Sequence, residues 1–237
     1  MRHLIIICSL ISYSLVGNCQ EDLTADTTLS KKYLITTSAL LATGIILDRD
    51  QVKRDFRSWV RDRVEVQTYA VDDYVQHAPI VALFATDLAL GRSSEEKKRH
   101  LRHLFVSESL SLGSMFIIKA ILRHERPNGG SLSMPSGHTT HAFASAGVLY
   151  HSLKEDHPFW AYSGYAMATF VGASRILKDK HWISDVLVGA GIGILGSHLS
   201  YHLDIWNSRG HIKQHDNFLS NVSLGITPLG LGLNAKF

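Results

Sequence analysis

Residues 101–130 read LRHLFVSESLSLGSMFIIKAILRHERPNGG. From Leu101 to Leu122 apolar and small residues dominate, with Glu108 and Lys119 set among them, and this predicts a long helix. Arg126-Pro127-Asn128-Gly129-Gly130 then stops it, because Pro lacks an amide donor and paired Gly residues favour a turn. The same reading applied outward gives helical segments at Tyr33–Leu47, Val71–Leu90, Thr139–Leu153, Pro158–Leu177 and Trp182–Leu203. Asp72, Asp73, His77 and Asp87 interrupt the second of these, and Pro158 suits the first turn of its helix. Asp48–Glu65 is charge-dense and reads as an amphipathic or linking segment, and Gly91–Arg99 as a charged connector. The expected fold is all-α, a bundle of about six helices with its active site at helix ends, spanning residues 20–205. Residues 206–237 differ. Leu229, Leu231, Leu233, Ala235 and Phe237 alternate with small or polar residues, so the tail is expected to be strand-like or disordered.

Composition bounds the class. At 237 residues, one domain with a sizeable core is the default. Hydrophobic residues make up 45% and charged residues 19%, and mean hydropathy is +0.03, low for a chain that is mostly membrane span. The formal charge of +3 favours anionic partners weakly, and no dense Lys/Arg stripe points to nucleic acid.

The beginning of the chain has the layout of a secretory signal peptide: Arg2 and His3, an apolar run from Leu4 to Val16, then Gly17, Asn18 and Cys19. Residues 1–19 are read as that leader, which implies export to a bacterial-type envelope. A lipid on Cys19 is an alternative, although Asn18 stands where a small residue is expected before such a Cys. Cys8 and Cys19 are the two cysteines, so the chain beyond the leader has neither an internal disulfide nor a Cys-based zinc site. A membrane span needs about 17–25 largely apolar residues. Tyr33–Leu47 and Pro158–Ser174 come near that without a charge. The basic segments after Leu47 and after Leu90 should face opposite sides of a membrane, so loop charge sets no orientation. A bundle partly embedded in a membrane, or lying against it, is expected.

Three clusters of reactive side chains fall at expected helix ends. Lys119 and Arg126 are seven residues apart, nearly two turns, and would share one helix face. Two cations there can clamp an anion, or can simply be a solvated face. Pro135-Ser136-Gly137-His138 directly precedes a helix. Amides at a helix start bind anions, Gly137 permits close approach, and His138 would stand beside the bound group as a general acid. A turn with an N-cap explains the same residues. Ser174-Arg175 is followed by His181 and Asp185, four apart and able to meet. A carboxylate on one imidazole nitrogen frees the other as a nucleophile, and a capping pair is the plainer alternative.

Together these residues resemble the signature of the type 2 phosphatidic acid phosphatase / vanadium haloperoxidase superfamily: Lys-x6-Arg-Pro, Pro-Ser-Gly-His and Ser-Arg-x5-His-x3-Asp, all in order. The resemblance runs from Lys119 to Asp185 in its motifs and over roughly residues 33–203 in its helical pattern. It implies that His181 attacks phosphorus and that Asp185 orients it. It implies that His138 protonates the leaving oxygen and then activates water. It implies that Lys119, Arg126 and Arg175 hold the phosphate, with Ser136 and the Gly137 N–H completing the clamp. Three cations and helix-end amides can stabilise the transferring group without Mg²⁺, so neither metal nor other cofactor is expected.

The expected activity is a phosphatase acting on a phosphomonoester or pyrophosphate. The expected substrate is a phosphorylated lipid, with a soluble exported acid phosphatase as the alternative. A vanadate-dependent haloperoxidase and a non-catalytic binding module are weaker readings. His141 is a candidate to support His138, His124 is read as surface and Trp182 as packing. His77, His100, His103, His151 and His157 show no ligand spacing.

Overall fold

The computed structural model describes residues 31–203 and, as backbone, residues 222–227 and 230–235. The expected leader with its two cysteines lies outside the described residues.

Eight helices are described: α1 (Lys31–Leu47), α2 (Asp50–Arg61), α3 (Val71–Val75), α4 (Ala78–Ala89), α5 (Ser94–Leu122), α6 (Gly137–Leu153), α7 (Pro158–Leu177) and α8 (Ile183–His202). The all-α bundle is the one expected, with more pieces. Val71–Leu90 is two helices, broken at Gln76 and His77. Pro79 sits in the first turn of α4, where its missing amide costs nothing. The expected connector Gly91–Arg99 is mostly helix. Ser93 and Glu96 form a reciprocal cap: the Ser93 hydroxyl accepts from the Glu96 amide at 3.2 Å, and the Glu96 carboxylate accepts from the Ser93 amide at 2.9 Å. That cap starts α5 seven residues before Leu101.

Helix α6 is the centre of the bundle and packs against α4, α5, α7 and α8. Its sequence GHTTHAFASAGVLYHSL is rich in small residues, and Ala142, Ala144, Ala146, Val148 and Leu149 are fully buried. The small residues let neighbouring backbones approach. On α8 a Cβ added at Gly193 would lie 2.6 Å from the Thr140 carbonyl of α6, and one at Gly189 would lie 2.9 Å from the Ser136 carbonyl. A second apolar cluster joins Leu83, Leu104, Leu153 and Ala161 from α4, α5, α6 and α7.

Helices α5 and α8 are long and apolar enough to cross a membrane. The helix α1 is too short by that measure. Helix α8 is mostly buried, whereas α5 turns Phe105, Phe116, Ile117 and Ile121 outward. In the tail, β1 (Val222–Thr227) and β2 (Gly230–Ala235) pair antiparallel, from Val222 opposite Ala235 to Thr227 opposite Gly230.

Candidate active site

The site is built from the C-terminal end of α5, the loop after it, and the starts of α6 and α8. Helix α5 ends at Leu122, and Arg123 closes it in the left-handed conformation at φ 51°. Arg126 therefore lies in the loop, and the shared helix face expected for Lys119 and Arg126 does not exist. The loop brings them together instead. The Arg126 amide donates to the Gly130 carbonyl at 2.6 Å, and its Nε donates to the Ser131 carbonyl at 3.1 Å. Lys119 Nζ donates to the Leu132 and Ser133 carbonyls at 2.6 and 3.3 Å. Both cations thus brace one loop, and Gly129 at φ 82° supplies the turn that lets it close.

His181 and Asp185 meet as expected, with His181 Nδ1 3.3 Å from Asp185 Oδ2. Both are buried. The same Oδ2 accepts from the Ser133 hydroxyl and from the Trp182 amide, the latter at 2.8 Å. Asp185 is therefore held from three sides and caps the start of α8. With Nδ1 turned to Asp185, Nε2 is the free nitrogen of His181. Burial lowers the His181 pKa to about 4, against the opposing pull of Asp185, and nearby Arg126 and Lys119 lower it further. The ring is neutral above that pH, the form a nucleophile needs.

The Ser136–His138 turn lies against α8: the Ser136 amide donates to the Asp185 carbonyl at 3.0 Å. Ser136 is fully buried at the N-cap of α6, but its hydroxyl does not cap. It accepts from the Thr139 hydroxyl at 2.9 Å, which leaves its own O–H to donate. Gly137 opens α6, and Met115 of α5 lies 3.6 Å from where its Cβ would be.

His138 Nε2 lies 2.9 Å from Asp73 Oδ1 of α3. Burial holds its pKa below the ordinary imidazole value, Arg175 adds to that, and Asp73 opposes both. Arg175 donates from Nη1 to Asp72 Oδ2 at 2.9 Å and approaches Asp73 Oδ1 at 3.5 Å. Lys178 donates to Asp72 Oδ1 at 2.7 Å. Burial pushes the Asp72 carboxyl up, but the hydrogen bonds from Lys178 and Arg175 outweigh it and hold the pKa below the usual carboxylate range.

Two features suit the binding of an anion. Arg175 Nε is buried with no acceptor among the described residues. Arg126 is pushed below its ordinary pKa by burial and then by the Arg175 charge, a repulsion that a bound phosphate would relieve. The site collects Lys119, Arg126 and Arg175 around two histidines. Among the described residues no group of three or more His, Cys, Asp or Glu side chains is arranged to hold a metal ion.

The sequence reading singled out neither Ser133, Asp72, Asp73 nor Lys178. The one available signal was the Asp72-Asp73 doublet inside an otherwise apolar run, which needs buried cations to offset it. Trp182 packs as expected, donating Nε1–H to the Glu125 carbonyl and lying under Lys53 Nζ, 5.4 Å from the ring centroid. His124 lies 3.5 Å from Asp48 at the rim.

The PAP2 superfamily profile matches residues 94–209. The chain is 33% identical over 136 residues to a lipid A 1-phosphatase of Porphyromonas gingivalis, covering 55% of this chain and 30% of that protein. It is 31% identical over 108 residues to diacylglycerol pyrophosphate phosphatase 1 of Saccharomyces cerevisiae, covering 40% of this chain and 37% of that protein. The chain thus spans about a third of the length of these curated relatives. The crystal structure of Aquifex aeolicus LpxE superposes with a TM-score of 0.48 at 22% identity, over 62% of this chain and 93% of that one.

Proposed function

We propose that the chain is a membrane-associated phosphatase of the PAP2 superfamily that removes phosphate from a lipid through a phosphohistidine at His181. The observation that carries this reading is the buried His181–Asp185 pair, 3.3 Å apart, with Lys119, Arg126 and Arg175 gathered about it. Nε2 of neutral His181 attacks phosphorus as the P–O bond to the leaving group breaks. His138 gives its proton to the leaving oxygen. It then takes a proton from the water that breaks the P–N bond, which releases phosphate and restores both rings. Asp185 accepts a hydrogen bond from the Nδ1–H of His181 and steadies the positive charge that develops on the ring. Lys119, Arg126 and Arg175, with Ser136 and the Gly137 amide, stabilise the equatorial oxygens, usually the largest contribution in such reactions. Three cations can neutralise the charge on the phosphate oxygens, so this reaction needs no divalent metal.

Two observations support a lipid substrate. The relatives are named for lipid A and for diacylglycerol pyrophosphate. Helix α5, which carries Lys119 at its end, is long enough to span a bilayer and presents its apolar side chains outward. Export to a bacterial-type envelope, from the leader-like residues 1–19, completes the reading.

A trapping experiment tests the intermediate. The purified protein is mixed with a ³²P-labelled lipid phosphate, quenched in alkali and examined for label on the protein. The expected label is stable in alkali, lost in acid and missing in His181→Ala. Label that survives acid, or that persists in the variant, overturns the phosphohistidine.

A further inference from the structure

A second polar chain crosses three elements beside His138. His141, one turn further along α6, places Nδ1 2.9 Å from Glu108 Oε2 of α5. Its Nε2 lies 2.9 Å from His77 Nδ1, at the break between α3 and α4. The His77 and His141 rings meet edge to face, with centroids 4.8 Å apart. Glu108 and His141 are largely buried, and Glu108 Oε1 has no partner among the described residues.

One order of protons links this chain when Glu108 is ionised and His141 carries a single proton. An ionised carboxylate only accepts, so the hydrogen lies on His141 Nδ1. Neutral His141 then accepts at Nε2, and His77 must donate from Nδ1. Burial, and then the neighbouring His141, hold the His77 pKa below its ordinary value, which favours the linked arrangement.

One turn earlier on α6, His138 meets Asp73. The two rungs His138–Asp73 and His141–His77 are three residues apart on α6 and four apart on the segment 71–77. That segment is therefore gripped twice by one helix face, while Asp72 is held by Arg175 and Lys178 of α7 and its loop.

We propose that the Glu108–His141–His77 chain is a positioning device for the acid–base histidine, fixing residues 71–77 against α6 so that Asp73 stays on His138. The inference rests on the reading of His138 given above. Charged groups facing the chain and its target are Glu108 from α5, Asp72 and Asp73 from α3 and Arg175 from α7. Without Asp73, burial and Arg175 act on His138 against the pull of Asp72 alone. Its protonated form is then less favoured, and the alkaline limb of kcat/KM moves to lower pH. Lys119 and Arg126 are bonded to the loop after α5, and Arg175 keeps its nearer partner Asp72, so KM changes little.

The test uses the full-length protein in detergent with p-nitrophenyl phosphate, comparing wild type, His141→Asn, Asp73→Asn and the double variant. His141→Asn is expected to lower kcat about tenfold, to hold KM within about twofold, and to move the alkaline limb acidward by at least about half a pH unit. Asp73→Asn should move the limb the same way, and the double variant should add nothing further. If His141→Asn does not fold, Glu108→Ala, which removes the acceptor for His141 Nδ1–H, decides by the same limb. An unmoved limb in a folded variant, or shifts that add in the double variant, overturns the inference. A wild type that releases no phosphate overturns the catalytic reading and this inference with it; a working wild type with unmoved variants overturns this inference alone.

Discussion

The backbone N–H of Ser136 donates to the backbone carbonyl of Asp185 at 3.0 Å. This one bond fastens the turn at the start of α6, proposed to bind the anion, to the helix start that carries the partner of the proposed nucleophile. Gly189, one turn further along α8, keeps the contact close, since a Cβ there would lie 2.9 Å from the Ser136 carbonyl. Gly189→Ala should therefore push the turn off α8. The expected cost is about 1–3 kcal/mol of stability, together with a fall in kcat. A thermal melt and a turnover assay on the same preparation check it, and an unchanged melting temperature would count against the close contact.

Asp185 organises His181 through geometry as much as charge. Asp185→Asn keeps the size but can turn an N–H donor toward Nδ1 and select the wrong tautomer. Its kcat should fall by about 10²–10⁴. Ser133→Ala removes one donor to Asp185 Oδ2 and should cost less, about tenfold. Steady-state kinetics rank the two, and equal losses would show that Ser133 does more than hold Asp185.

The pH dependence follows from two opposed requirements. His181 must be neutral, and its free-enzyme pKa is lowered to about 4. His138 must carry a proton, and its pKa is held below the ordinary imidazole value by burial and Arg175. The kcat/KM profile should rise as pH passes about 4, and fall before the pH at which a free imidazole loses its proton. An optimum in the alkaline range would contradict the assignment of His138 as the acid.

Asp72 is a stability site as well as a neighbour of Arg175. Its folded pKa is depressed by Lys178 and Arg175 despite burial. A carboxyl shifted in that direction contributes stability that is full above its unfolded pKa and is lost as pH falls through its folded value. Asp72→Asn takes the carboxylate from Lys178 and leaves Arg175 only its longer contact with Asp73, and should cost about 3–5 kcal/mol near neutrality. The difference from wild type should shrink in acid. Denaturant melts at neutral and acid pH measure both.

Much of this was legible in the sequence, for reasons that differ by element. The helix Pro158–Leu177 follows from a run that is largely apolar and uncharged as far as Ser174, with Pro158 at its start. The start of α5 was missed because Glu95–Arg99 is charged, although the Ser93–Glu96 cap is written in the sequence. The pairing of His181 with Asp185 is local and was readable from a spacing of four. The convergence of Lys119 and Arg126 was expected for the wrong reason, since the helix ends before Arg126 and the loop carbonyls do the work. Asp72, Asp73 and His77 reach their partners across 64 to 106 residues of chain. No periodicity encodes such a contact.

The central claim is tested most directly by phosphate release from lipid phosphates, with the purified protein in detergent and EDTA, beside His181→Ala. The account predicts release that EDTA does not diminish and that vanishes in the variant. Full release by His181→Ala, or release abolished by EDTA in the wild type, would contradict a metal-free reaction through His181.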